Sequence, residues 1–371
     1  MRWMVQGEFI VFVMDNKKNV LITIPTLNTA GAEKFVVDLA LNLDSNKYNV
    51  SVGVFYKSKN NYFEKKLLEN NIKIVDFSDS SKLKIMKNIK NYFKDNKVDV
   101  LHTNLNTILY TMFYAKKYKI PKKLFTFHSV ANRVDSGLKK KLYKYAFNKI
   151  NFIPVAISDY IKSTIKEEFK LDESKIECVY NGVNIEKFAP NYELNSSQLT
   201  ITNVGTLYYI KNHDLLIKAF KILIDKGYDL KLNLLGDGVR RQELEQLVSD
   251  LNLKEQVNFF GVVNNVSDYL QKSDIYCCSS LVEGLPISVL EAMACGLPIV
   301  STKAGGVVDI VFNDVNGYIC ESFEPEEYAS YIEKIIIDKE LRFRMKKESR
   351  KFVEKLSVKN CAKNYEEIYE S

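Results

Sequence analysis

The chain has 371 residues, long for one hydrophobic core, and two domains of ordinary size are the natural division. Its 46% hydrophobic and 27% charged residues are those of a soluble globular protein, and no apolar run approaches the ~20 residues that span a bilayer. The net charge of +7 conceals a polarity, because residues 1–190 carry 32 Lys and Arg against 19 Asp and Glu, whereas the remainder carries 21 against 27.

The apolar run Phe9 to Met14 is too short for a signal-peptide core and follows Glu8 rather than a basic segment, so Met1 to Asp15 reads as standing outside the fold. From Asn19 onward apolar runs alternate with amphipathic segments. NVLITIP predicts the first strand, TLNTAG a loop and AEKFVVDLALNL a helix. Strands recur at YNVSVGVF, IKIVDF, VDVLH, KLFTF and FIPVAIS, which predicts a parallel, doubly wound sheet whose ligand sites lie beyond the C-terminal strand ends. Gly31, in the loop TAGAE before the first helix, permits close approach of a ligand to the backbone, or is a plain tight turn. His102 and His128 end two of these strands, and spacing alone leaves both as structural histidines.

Asn181-Gly182-Val183-Asn184 closes this half, and the polar, proline-bearing stretch Ala189–Gln198 reads as the linker. The alternation then restarts with LTITNVG, a helix near Asp214–Asp225, LKLNLLG, a helix near Arg240–Leu251, VNFFG, DIYCC, PIVST and GYICE. Two such sheets facing each other make a cleft. LLGDGV lacks the third glycine of a dinucleotide fingerprint and reads as a structural turn, while AGGVVDIV is expected to open a helix with two glycines.

Asp274 to Val300 organises the second half. After the buried strand DIYCC, a short acidic loop leads to Pro286, expected as the first helical residue because its missing N–H has no intrahelical partner there. Ile287, Val289, Leu290 and Met293 form the apolar stripe, and Gly296 with Pro298 ends the helix. Glu283 and Glu291 bracket the turn. The N–H groups of Ile287, Ser288 and Val289, with the positive end of the helix dipole, make a seat for phosphate between them. Carboxylates beside a phosphate seat suit a ligand that is part anion and part polyol.

The spacing Glu283-x7-Glu291, the run EGLPISVLEAMACGLPIVST and Asn181-Gly182-Val183 resemble the retaining nucleotide-sugar glycosyltransferases of family 4, of bacterial surface-polysaccharide type. The resemblance covers nearly the whole chain and implies an α/β GT-B fold: two doubly wound Rossmann-like domains facing a cleft. It divides the chain into an acceptor domain at 15–190, a donor domain at 199–356 and a terminal helix at 357–371 that packs back on the first domain. It implies transfer of a hexose or N-acetylhexosamine to a glycan hydroxyl. Glu283 and the Gly284–Leu285 backbone would hold the sugar, Glu291 the ribose, and Lys211 the departing diphosphate. TFHS matches the position where a cleft histidine meets the donor sugar near its reacting carbon, which makes His128 the catalytic candidate beside Glu283. Gly31 falls in a loop like the family's G-G-A-E, with Ala30 in place of its first glycine. Thr206 stands where many members carry arginine, so either Lys211 bears more of the electrostatics or another cation replaces it.

No cofactor is implied: the nucleotide sugar is the substrate, a UDP-sugar favoured over a GDP-sugar. Six cysteines without C-x2-C spacing read as core residues in a reducing cytoplasm, and three histidines without H-x3-H spacing give no metal site. Lysine clusters at Lys82–Lys97, Lys116–Lys123 and Leu138–Lys149 are either solvated helix faces or a surface for an anionic leaflet, on the order of 1 kcal/mol per lysine, which would bring the first domain to a lipid-linked acceptor at the inner membrane face. Helix or stacking modules for nucleic acid are not visible. A sugar-nucleotide epimerase of the same fold and a non-catalytic binding protein are the competing readings.

Overall fold

The computed structural model of the chain describes residues 4–5, 8–9, 17–59, 62–133, 137–192 and 198–371. The first sheet comprises β1 (Lys18–Ile24), β2 (Tyr48–Val54), β3 (Lys73–Asp76), β4 (Val100–Asn104), β5 (Lys122–Phe127), β6 (Ile153–Ala156) and β7 (Glu177–Cys178), in spatial order 3-2-1-4-5-6-7. The second comprises β8 (Leu199–Val204), β9 (Leu230–Leu235), β10 (Val257–Gly261), β11 (Ile275–Cys278), β12 (Ile299–Thr302) and β13 (Gly317–Cys320), in order 10-9-8-11-12-13. Every pairing in both sheets is parallel. Of the segment expected to stand outside the fold, only Met4–Val5 and Glu8–Phe9 are described, and they pair antiparallel with each other. Residues 193–197 of the expected linker lie outside the described residues.

Helices cover both faces of each sheet, which is why Val20–Ile24 of β1 and all of β11 are buried at successive residues rather than alternately. In the first domain these are α1 (Gly31–Asn42), α2 (Tyr62–Glu69), α3 (Lys82–Asp95), α4 (Ile108–Lys117), α5 (Leu138–Lys149) and α6 (Asp159–Phe169). Helix α3 shows how the sequence dictates them: Ile85, Ile89 and Phe93 recur at helical spacing and are buried, the lysines between them face outward, and the Ser81 side chain accepts from the Lys84 N–H. The second domain carries α7 (His213–Asp225), α8 (Arg241–Asp250), α9 (Val266–Leu270), α10 (Ile287–Ala294), α11 (Pro325–Ile337) and α12 (Lys339–Glu354). Strand order reverses direction at β1/β4 in one sheet and at β8/β11 in the other, and a crevice opens where the loops leave these strand ends on opposite sides.

The chain closes with α13 (Val358–Glu370), whose Cys361, Ala362, Tyr365, Ile368 and Tyr369 share a core with β1 and α1 of the first domain. The tyrosines also bond: Tyr369 Oη lies 2.8 Å from His102 Nδ1, Tyr365 Oη 3.0 Å from Thr126 Oγ1, and Tyr48 Oη donates to Glu370 at 2.7 Å. Entry into this helix runs alongside the Asn181-Gly182-Val183 turn. Val183 N–H donates to the Leu356 carbonyl at 2.9 Å, and Val358 N–H to the Val183 carbonyl at 3.0 Å. A methyl group on Gly182 would stand 2.7 Å from Val358 Cα and 2.9 Å from Cys361 Cβ, closer than carbon atoms pack. Gly182→Ala is therefore expected to lose about 1–3 kcal/mol of stability, read from the midpoint of urea unfolding. An unchanged midpoint would contradict this packing.

Candidate active site

Strand β11 ends at Ser279-Ser280, where the chain turns outward. Ser279 Oγ donates to the Lys211 carbonyl at 2.8 Å and Leu281 N–H to the Ile210 carbonyl at 2.8 Å, so the loop after β11 fixes the loop after β8. This brings Lys211 beside Glu283, with Nζ 2.5 Å from Oε1, and the Ser280 hydroxyl donates to the same oxygen at 2.6 Å. Burial works against the lysine's charge, but Glu283, with a smaller contribution from Cys278, more than offsets it and holds the Lys211 pKa above its ordinary value. The pair lies 72 residues apart in sequence and is mostly shielded from solvent.

Pro286 is not the first helical residue. It caps α10 from an extended conformation, ψ 122°, and the helix begins at Ile287. The Pro286 carbonyl accepts from Val289 N–H at 3.1 Å, which removes that group from the expected phosphate seat. Among the described residues, no acceptor meets the N–H groups of Gly284, Leu285, Ile287 or Ser288. The seat thus loses Val289 and gains Gly284 and Leu285, which moves it toward the loop. Its carbonyls are turned away and occupied: Gly284 O accepts from Gly306 N–H at 2.7 Å, and Leu285 O from Asn181 Nδ2 at 2.8 Å.

Gly284 also meets the first domain. A methyl group there would stand 2.3 Å from the carbonyl oxygen of His128, at the end of β5. Gly305, at φ 58°, lies so close to Glu283 that a methyl group would stand 1.9 Å from its carbonyl oxygen, so only glycine fits. AGGVVDIV does not open an α-helix. It forms one short 3-10 turn, Gly305–Asp309, that docks on the start of α6, where Asp309 Oδ2 accepts from Tyr160 N–H at 2.8 Å.

Glu291 takes a different direction from Glu283. It is buried at the domain boundary with Oε1 3.5 Å from Lys34 Nζ of α1, and Lys34 also pairs with Asp38 at 2.5 Å. Burial pushes the Glu291 pKa up, and Lys34 partly pulls it back. The two carboxylates therefore do not share one partner: one is held by a cation of its own domain, the other by a cation of the facing domain. Gly31 opens α1 one turn ahead of Lys34, and nothing lies within 4 Å of where a methyl group on it would stand.

His128 lies half-buried where β5 ends. Its Nε2 is 2.7 Å from Asn104 Oδ1, and the Phe35 ring meets the imidazole edge-on at 5.0 Å. Burial lowers its pKa to about 3, so the ring is neutral at physiological pH. His102 is fully buried with both nitrogens engaged, Nδ1 by Tyr369 and Nε2 by Thr126 at 2.7 Å, and serves the packing of α13. His213 opens α7 with Nε2 3.1 Å from Asn203 Oδ1. Thr206 is exposed, and Arg240 does not replace the missing arginine, since its guanidinium is held by Asp214 at 2.9 Å and Glu243 at 2.6 Å.

A cavity of about 410 Å³ adjoins His128 at the strand ends of the first domain. Pro25, Leu105, Leu109, Phe125, Phe127 and Val130 make its wall largely apolar, and Arg133 and Lys139 also line it. The structure thus brings Lys211, Glu283, Gly284, Leu285 and His128 to one crevice and directs Glu291 to Lys34. Lys34, Asn104 and Ser280 were not legible as site residues. Lys34 follows the TAGAE loop directly, the one signal that could have marked it.

Among the described residues no group of three or more His, Cys, Asp and Glu could hold a metal ion, and no helix is long and apolar enough to cross a membrane. The histidines make stability depend on pH. Burial lowers His102 and His128 to about 3 and His213 to about 4 from an ordinary 6.5. Unfolding lets these rings take up protons between those values, so their contribution is complete above pH 6.5 and drains as pH falls. The melting temperature is expected to fall from pH 7.5 to 5.5, and a flat or rising profile would contradict three rings held neutral by the fold.

Comparison with known proteins agrees with this architecture. Residues 29–187 match the family model described as Glycosyltransferase Family 4, and residues 184–352 the one described as Glycosyl transferases group 1. An uncharacterised glycosyltransferase of Haemophilus influenzae is 31% identical over 246 residues, covering 66% of this chain and 67% of the relative. The UDP-Gal:alpha-D-GlcNAc-diphosphoundecaprenol alpha-1,3-galactosyltransferase of Escherichia coli is 25% identical over 313 residues, covering 78% of this chain and 80% of its own. The crystal structure of Anabaena HepE in complex with UDP and glucose superposes with a TM-score of 0.83 at 19% identity, covering 95% of this chain and 99% of that one. The chain belongs to the glycosyltransferases, as an enzyme of GT-B fold whose two parallel-sheet domains meet at the crevice between Glu283-Gly284 and His128.

Proposed function

We propose that this enzyme moves a hexose or N-acetylhexosamine, with retention of configuration, from a UDP-sugar to a hydroxyl of a lipid-linked glycan in bacterial surface-polysaccharide synthesis. The observation that carries the reading is the cradle at the start of α10: four unpaired N–H groups beside the Lys211–Glu283 pair, pressed against the strand end that bears His128. Such a cradle has donors for a diphosphate and a carboxylate for sugar hydroxyls within one turn of chain. The E. coli relative uses UDP-galactose and a diphosphoundecaprenol-linked acceptor, and HepE binds UDP and glucose, which supports the same classes of donor and acceptor here.

In this reading the second domain holds the donor. Glu283 accepts sugar hydroxyls through the oxygen that Lys211 and Ser280 leave open, and Glu291 accepts ribose hydroxyls beside Lys34. As the bond from the anomeric carbon to the phosphate oxygen breaks, Lys211 and the N–H groups of Gly284, Leu285, Ile287 and Ser288 offset the charge growing on the diphosphate. The acceptor oxygen bonds to the same face of the anomeric carbon, and its proton passes to the departing phosphate. Lys211 is the cation that this chain itself brings to the leaving group. Closure around the site expels water and limits hydrolysis of the donor.

The cavity beside His128 supports an acceptor with an apolar portion and an anionic group, since its wall is mostly hydrocarbon and two basic side chains line it. Helices α3, α4 and α5 pack side by side, and their exposed lysines alternate with exposed Leu83, Phe113, Leu138 and Tyr145. This composition supports attachment to an anionic leaflet.

Thermal stability measured with UDP, GDP and ADP separately tests the donor: UDP at a hundred times its dissociation constant is expected to add about 2.7 kcal/mol. A response to GDP alone would overturn the choice of base. Lys211→Ala is expected to lower kcat by roughly 10²–10³-fold in a transfer assay, the scale on which one preorganised charge-stabilising group acts. Unchanged turnover in both this variant and Glu283→Ala would remove the site assignment.

A further inference from the structure

Asn104 ends β4 with its side chain wholly buried, and its amide has one possible orientation. Nδ2 donates to the carbonyl of Thr23 at 3.2 Å, a group that can only accept, so Oδ1 is the atom facing His128. That oxygen, 2.7 Å from Nε2, can only accept as well. The proton of the interaction therefore belongs to Nε2. A neutral imidazole carries one ring proton, so Nδ1 is left with its lone pair. Among the described residues Nδ1 makes no hydrogen bond, and His128 lines the cavity.

The surroundings keep the ring in this state. Thr107 Oγ1 accepts from the Asn104 N–H at 3.2 Å and lies 2.8 Å from Thr23 Oγ1, so the residue that orients the histidine is itself held at the switch point of the sheet. Phe35 bounds the imidazole on one side, and the His128 carbonyl lies against Gly284. The pair keeps one arrangement because the alternative leaves the buried amide oxygen of Asn104 unpaired.

We propose that Asn104 is a positioning residue that holds His128 as the Nε2–H tautomer, so that Nδ1 meets the ligand only as a hydrogen-bond acceptor and reads a hydroxyl there. The inference deepens the proposed function and rests on it for the identity of the ligand as a sugar. It places a polyol edge against Nδ1 and excludes a phosphate oxygen from that point, because two acceptors would face each other. The diphosphate is thereby confined to the N–H groups of the α10 loop, and the sugar ring is directed between the two.

The tautomer is read without substrate, from long-range ¹H–¹⁵N correlation spectra of the full chain labelled with ¹⁵N-histidine. The protein has three histidines, and His128→Gln assigns the resonance in question. The wild-type ring is expected to show a protonated Nε2 and a bare Nδ1, and Asn104→Ala a mixture of tautomers. A proton on Nδ1 of the wild type would overturn the proposal even if the variant failed to fold, as would an unmixed tautomer in a folded Asn104→Ala. With a panel of monodeoxy donors, removal of one particular hydroxyl is expected to cost on the order of 10²-fold or more in kcat/KM, and to cost little further in His128→Ala. Asn104→Ala is expected to lower kcat while leaving the thermal response to UDP unchanged; loss of that response would mean that Asn104 merely supports the fold. Absence of any sugar transfer with the expected tautomer present would sink the proposed function and leave the tautomer assignment standing.

Discussion

Everything in the crevice depends on how the carbonyl groups between Glu283 and Pro286 are disposed of. A loop that presents N–H groups to a ligand must turn its carbonyls elsewhere, and a buried carbonyl without a donor is costly. Here Gly306 satisfies Gly284 and Asn181 satisfies Leu285, one from the same domain and one from the turn that closes the first half of the chain. The glycines of AGGVVDIV exist for this purpose, since only a residue without Cβ can approach Glu283 closely enough for the bond to form. The row of open N–H groups is therefore a product of two distant turns as much as of the helix behind it.

The same logic couples the domains. Asp309 satisfies the start of α6, Gly284 packs on the His128 carbonyl, and Arg350 of α12 donates to the carbonyls of Ile185, Phe188 and Ala294. Lys34 and Glu291 add a charged contact across the boundary. These contacts differ in character: the backbone approaches at Gly284 demand shape, whereas the Lys34–Glu291 pair is a contact between charges that each need a partner once buried.

The charge polarity of the chain acquires a location in the fold. The basic first half presents its lysines on α3, α4 and α5, helices that cover one face of the first sheet and lead toward the cavity beside His128. The cations paired with buried carboxylates at the crevice are not among these clusters. Lys34 and Lys211 are single residues in otherwise ordinary stretches, set apart by burial next to carboxylates.

Much of the architecture was legible in the order of residues, because the features that encode it are local and periodic. Runs such as VLITI and IYCC, the amphipathic spacing of α3 and the restart after Ala189–Gln198 determine two parallel sheets, and the E-x7-E stretch determines a strand, loop and helix with carboxylates on either side. Position along a chain does not specify what a side chain meets, however. The assignment of Glu283 to Lys211 and of Glu291 to Lys34, the loss of Val289 N–H to Pro286 and the tautomer imposed on His128 by Asn104 all join atoms separated by turns or whole domains. Helix and strand periodicity determined where the crevice lies; only the packing of one domain on the other decided which donors and acceptors remain open within it, since a polar group is free for a ligand only when no neighbour in space has claimed it.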